Sequence, residues 1–153
     1  RLEPMLSARP AARLVSARLA RAAAETPATP MRLVAYDHYL HGIPFYTGRQ
    51  VDVVDWLGEL AYAKRFARFQ DRFGDDATIA GWPRPGERVL VITPVGRLPW
   101  LEKIRGGPES VKDVETAGTV AVAELVRAPS APPSSSGGRA PGRAAGTRRR
   151  RPG

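Results

Sequence analysis

The run Tyr36-Asp37-His38-Tyr39-Leu40-His41-Gly42-Ile43-Pro44-Phe45-Tyr46-Thr47-Gly48-Arg49 lies between two short apolar segments, Leu33-Val34-Ala35 and Val51-Asp52-Val53-Val54. Apolar segments on either side of a stretch punctuated by Gly and Pro read as a strand, a structured turn and a second strand. The first strand spans Met31 to Tyr36 and the second Val51 to Asp55; Leu33 to Ala35 is apolar on both faces, as in a sheet covered on both sides. Neighbouring side chains in extended backbone face opposite ways, so one of Phe45 and Tyr46 is expected in the core. Phe45, which has no hydroxyl to satisfy and follows the rigid Pro44, is assigned there. Tyr46 and Arg49 are left nearer the surface.

Working outward, residues 7 to 25 read as a helix. Leu14, Val15, Leu19, Ala22 and Ala23 fall on one stripe, with Arg13, Arg18 and Arg21 elsewhere and Pro10 in the first turn, where its missing N–H does no harm. Thr26 to Pro30 ends it. On the other side, Gly58 to Phe73 reads as a second helix, with Tyr62, Phe66, Phe69 and Phe73 as a buried aromatic stripe. Lys64, Arg68 and Arg72 run along the opposite side, as a solvated face or a contact for an anion. Gly74 is expected to cap this helix and Asp75-Asp76 to cap the next turn, since two carboxylates alone offer too few ligands for a divalent cation.

Trp82-Pro83-Arg84-Pro85-Gly86 excludes helix and inner strand and leads into Arg88-Val89-Leu90-Val91-Ile92-Thr93, a strand buried on both faces. Gly96 to Arg105 suits a short helix closed by Gly106-Gly107-Pro108. Glu109 to Glu115 and Thr119 to Arg127 flank Thr116-Ala117-Gly118 as a final hairpin. The fold expected is α/β: a small, mainly parallel or mixed sheet flanked by helices, with a C-terminal hairpin, in one domain over residues 1–127. Residues 128–153, rich in Pro, Ser, Gly and Arg, are expected to be a disordered basic tail.

The chain has 153 residues and a net charge of +9, and that charge is uneven. Met31 to Arg127 carries 13 basic against 13 acidic residues; residues 1–30 contribute +3 and residues 128–153 contribute +6. A neutral domain with basic ends argues against a nucleic-acid-binding domain, which carries its charge on a folded face. Cysteine is absent, so neither disulfides nor thiolate metal sites are available. No window approaches the ~20 consecutive apolar residues of a spanning helix. The chain opens at Arg1 rather than Met, as a processed chain or an excised piece would.

Chemical motifs are mostly absent: there is no G-x-G-x-x-G, P-loop, G-x-S-x-G or H-E-x-x-H. His38-x-x-His41, with Asp37 alongside, has two potential zinc ligands but no third nearby, so the reading is a surface or hinge pair without metal. Tyr36, Tyr39 and Tyr46 suit stacking on a sugar ring or ordinary packing. No cofactor and no catalytic set is expected. The tail arginines Arg148, Arg149, Arg150 and Arg151 suit phosphate, as in anionic lipid headgroups.

The order Val34-Ala35-Tyr36, Tyr39-Leu40-x-x-Ile43-Pro44-Phe45-Tyr46-Thr47-Gly48-Arg49, Val51-Asp52-Val53-Val54, Gly58-Glu59-Leu60, Trp82 and Val89-Leu90-Val91-Ile92 resembles the C-terminal extracytoplasmic domain of bacterial membrane glycosyltransferases. These are the enzymes related to aminoarabinose transferase and dolichyl-phosphate-mannose-protein mannosyltransferase, and the similarity runs over about residues 10–127. The resemblance implies a lobe on the extracytoplasmic face of the bacterial cell membrane, partnered by a transmembrane half of the same enzyme that uses a polyprenyl-phosphate-linked sugar. The family's catalytic acid belongs to that half and maps to no position here. Tyr36, His38, Tyr39, His41, Tyr46 and Arg49 are then candidate contacts to sugar or to the other lobe. A second reading is a stand-alone, non-catalytic binding module whose basic tail meets an anionic membrane surface or nucleic acid.

Overall fold

A computed structural model describes residues 8–56 and 58–127. A six-stranded sheet forms the middle layer, in the order β3-β2-β1-β4-β6-β5. Strands β1 (Met31–Tyr36), β2 (Asp52–Val54), β3 (Phe73–Gly74) and β4 (Arg88–Pro94) are mutually parallel. Strands β5 (Val111–Ala117) and β6 (Val120–Leu125) form the expected hairpin, and β6 pairs antiparallel with β4. The mixed α/β architecture read from the sequence is therefore the one observed.

Central position explains the unbroken apolar runs of β1 and β4. Leu33, Ala35, Leu90 and Ile92 face one core together with Ala11, Ala12 and Val15 of helix α1 (Arg9–Glu25) and Ile43 of helix α2 (Gly42–Thr47). Val34, Tyr36, Val89 and Val91 face the other, with Ile79 of helix α4 (Asp76–Ala80) and Leu101 of helix α5 (Leu98–Ile104). Parallel strands need crossovers, and these run in opposite directions across the sheet: from β1 through α2 to β2, and from β3 through α4 back to β4. Crossovers of one hand that run in opposite directions put their helices on opposite faces of the sheet.

Three sequence expectations give way here. The stretch from Tyr36 to Arg49 is a crossover containing a helix, not a plain turn. Ile43 is its buried residue (1% exposed), while Phe45 is 82% and Tyr46 44% exposed. Helical neighbours are ~100° apart rather than ~180°, so Phe45 and Tyr46 share the outer side. Gly42 is required where α2 passes the start of α1, because a Cβ there would lie 2.6 Å from that of Ala8. Gly48, at φ 63°, ends the helix in the left-handed region that suits glycine.

Gly58 to Phe73 is not one helix. The backbone makes 3-10 turns over Gly58–Arg65, turns extended at Phe66 (φ −91°, ψ 124°), and makes one helical turn, α3 (Ala67–Gln70). Phe73–Gly74 then joins the sheet, where Val53 N–H donates to Arg72 O at 2.7 Å and Asp55 N–H to Gly74 O at 3.1 Å. A continuous helix would leave those edge donors of β2 without partners, a cost the short edge strand removes. The aromatic stripe is accordingly not a core face: Tyr62 is 65% and Phe66 42% exposed. Gly74 thus lies in a strand rather than capping a helix, while Asp75 caps α4 as expected, accepting from Thr78 N–H at 2.8 Å.

The third correction is Arg18, which falls on the buried stripe of α1 and not away from it, whereas Ala23 is exposed. Only 6% exposed, it meets Glu115 of β5 at 3.0 Å and Asp113 at 3.6 Å, so its stem covers the hairpin while its head reaches carboxylates. No helix among the described residues is long and apolar enough to cross a membrane.

Candidate functional site

Strands β1, β2 and β4 start at one end of the sheet, and the loops that feed them surround a groove of about 650 Å³. Its floor is an ion-pair chain set by the first residues of the strands. Asp52, which opens β2 and is buried, accepts from Arg32 Nη1 at 2.6 Å and from Arg72 Nη1 at 3.2 Å. Arg32 also donates through Nε to Glu87 at 2.6 Å and lies over the Trp82 ring, 4.7 Å from its centroid. Arg72 donates further to the side-chain oxygen of Gln50.

Burial and these contacts shift the two carboxyls in opposite directions. Burial pushes the Asp52 carboxyl up, against the pull of Arg32 and Arg72. Burial acts in the same sense on Glu87, but hydrogen bonds from Arg32 and the Arg84 backbone outweigh it and hold Glu87 below the usual carboxylate range. The rim carries Arg49 and Arg68, both exposed. Arg49 donates to the Met31 carbonyl at 3.3 Å, and Arg68 lies 4.7 Å from the Phe69 centroid. A second hollow of about 390 Å³, walled by Tyr39 and Phe69, shares Arg49, Gln50 and Arg72 with the first. Four guanidiniums in such an arrangement suit a planar or tetrahedral oxyanion.

The opposite, carboxyl end of the strands is an acidic cluster. Tyr36, fully buried, donates its hydroxyl proton to Asp76 Oδ1 at 2.7 Å, and Trp100 Nε1–H reaches Asp76 Oδ2 at 3.3 Å. Burial and the Asp76 hydrogen bond push the Tyr36 phenol well up. Arg97 donates to Asp37, and Asp37 and Asp55, at φ 52° and 55°, turn the chain as it leaves β1 and β2. Burial, then the neighbouring carboxylates of Asp76 and Asp37, push Asp55 up. The strand order reverses direction at this end between β1 and β4, the place where ligands of open α/β sheets are usually found. Tyr36 and Trp100 are engaged with Asp76 there, and Arg97 with Asp37. Among the described residues no group of three His, Cys, Asp or Glu side chains could hold a metal ion.

The residues singled out from the sequence are therefore divided. Arg49, Arg68 and Arg72 converge on the amino-end groove, with Tyr39 beside it; Lys64 is exposed on the 3-10 segment and is not in its lining. Arg72 is an ion-pair residue of the floor rather than a solvated one. Tyr36 belongs to the core. Tyr39 stacks on Trp56 with centroids 5.9 Å apart and meets the edge of His41 at 4.8 Å. His38 is half-buried and His41 exposed, both before α2. Tyr46 lies against α1, where Arg9 Nε–H donates to its hydroxyl at 3.1 Å. Arg148 to Arg151 lie outside the described residues. Sequence reasoning missed Arg32, Asp52 and Glu87; their signal was charged residues beside the first positions of three buried strands.

No family model and no curated protein sequence matches the chain. Its fold does match solved structures of ArnT from Cupriavidus metallidurans. The structure bound to undecaprenyl phosphate aligns with TM-score 0.56 and 19% identity over 79% of this chain and 21% of that one. The apo structure gives 0.55 and 19% over 79% and 22%. The chain thus shares a fold with part of ArnT and spans about a fifth of its length.

Proposed function

We propose that this domain is the extracytoplasmic C-terminal lobe of a bacterial membrane glycosyltransferase, one that takes its sugar from a polyprenyl-phosphate-linked donor. The observation that carries the reading is the match to ArnT, which takes in four-fifths of this chain and a fifth of that enzyme. The blocks Pro44 to Arg49 and Gly58-Glu59-Leu60 support the same relation. In this reading the lobe does not carry out the transfer itself. Nucleophile, base and orienter have to converge at a reacting centre, and Arg32, Asp52, Glu87 and Arg72 at one end, with Asp37, Arg97, Tyr36 and Asp76 at the other, are instead tied into structural ion pairs and hydrogen bonds. Its partner is the transmembrane part of the same polypeptide. The exposed Phe45 and Tyr46 on α2 suit a contact with it: aromatic side chains supply much of the energy of protein interfaces, and this pair covers no core of its own.

The test is the coding sequence upstream of Arg1. An in-frame series of about ten or more apolar spans, each of ~20 residues, supports the proposal. A start codon just upstream, with no such spans, overturns it.

A further inference from the structure

The amino-end groove carries an inference that does not depend on the glycosyltransferase reading. Its four guanidiniums are not equivalent. Arg32 and Arg72 are held through Asp52, and Arg32 through Glu87 as well, so their charge is matched and their position fixed. Arg49 and Arg68 line the same groove from two other segments, and among the described residues neither ion-pairs with a carboxylate. Against Arg32, Arg49, Arg68 and Arg72 the lining sets Asp52, Asp71 and Glu87, which leaves a positive surplus at the rim. Arg49 follows Gly48, and its contact is a long one to a carbonyl; Arg68 only covers a ring. Turning either head inward would give up only these weak contacts.

From this geometry we propose that the groove binds a phosphate-bearing ligand, gripped by Arg49 and Arg68 at the rim over the fixed Arg32–Asp52–Arg72 floor. A guanidinium presents paired N–H donors that match two phosphate oxygens, which a lysine ammonium does not. The neighbouring hollow between Tyr39 and Phe69 leaves room for the rest of the ligand. Free phosphates and phosphate headgroups at a lipid surface present the same oxygens.

The test uses the full chain with inorganic pyrophosphate as soluble probe and phosphatidylcholine vesicles doped with phosphatidic acid as surface probe. The variants are the double substitution Arg49→Gln with Arg68→Gln, and Arg13→Gln on α1 as a control outside the groove. Both rim positions are exposed, so the double variant is expected to fold, which its far-UV spectrum and thermal midpoint check. The expected result is saturable binding of the unaltered chain, weakened roughly tenfold or more in the double variant, as loss of hydrogen bonds to a charged group implies, and unchanged in Arg13→Gln. Binding to pyrophosphate marks a free phosphate ligand. The same arginine dependence on vesicles alone marks a headgroup. Absence of saturable binding to either probe, or full affinity in the folded double variant, overturns the proposal.

Discussion

Replacing Ile43 and Phe45 separately by alanine tests the reading of the central stretch. Ile43 is 1% exposed and packs among Ala11, Val15, Leu33, Leu90 and Ile92 between α1, α2 and the sheet. Truncation to alanine removes three carbons from that layer. At about 0.8 kcal/mol per buried methylene the transfer part alone is ~2.4 kcal/mol. The residual cavity adds to this, giving about 3–4 kcal/mol within the range seen for such changes. Phe45 is 82% exposed, and its main contact is the edge of Tyr46 at 5.3 Å, so its loss should cost under ~0.5 kcal/mol. Urea denaturation of the two variants and the parent at one pH gives both numbers. Against a typical stability of ~5–15 kcal/mol the Ile43 effect is large. A Phe45→Ala loss equal to or above that of Ile43→Ala would refute the helical assignment and restore the strand-like one.

Two further outcomes follow from buried polar groups. Arg105, 3% exposed, donates to the carbonyls of Ile79, Trp82 and Val126, tying α4, α5 and the end of β6; Arg105→Met should lower stability by at least ~3 kcal/mol in denaturant titrations. The Tyr36 phenol is pushed up in the folded state, so the folded chain keeps a proton that the unfolded chain loses above about pH 10. Its contribution is fully present below that pH and is lost as pH rises. Tyr36→Phe should therefore flatten the alkaline fall of stability, measured as unfolding free energy from about pH 10 upward.

The elements legible from sequence were those whose signal spans several residues of one kind. Val89 to Ile92 read as an inner strand from their unbroken apolar run, and the hairpin around Gly118 and the long α1 were marked by turn residues and by helical spacing. Illegible were the elements too short to repeat their own period. At six residues α2 is under two turns, and its Gly and Pro mimic a turn. The aromatic spacing of Tyr62 to Phe73 fits a helix, but the unpaired edge of β2 takes Phe73–Gly74 instead, a demand made by tertiary structure alone. The groove was half legible. Arg49, Arg68 and Arg72 stood out as exposed cations, whereas the Arg32–Asp52–Glu87 floor joins residues 20 and 55 positions apart, which only the sheet brings together.

The most direct test of the proposed role is a sugar-transfer assay with polyprenyl-phosphate-linked donors. It compares this chain alone with the full polypeptide encoded at its locus, before and after deletion of this domain. The account predicts no turnover by the chain alone and transfer by the intact polypeptide. Turnover by the isolated chain that vanishes on changing one of its own residues would contradict it.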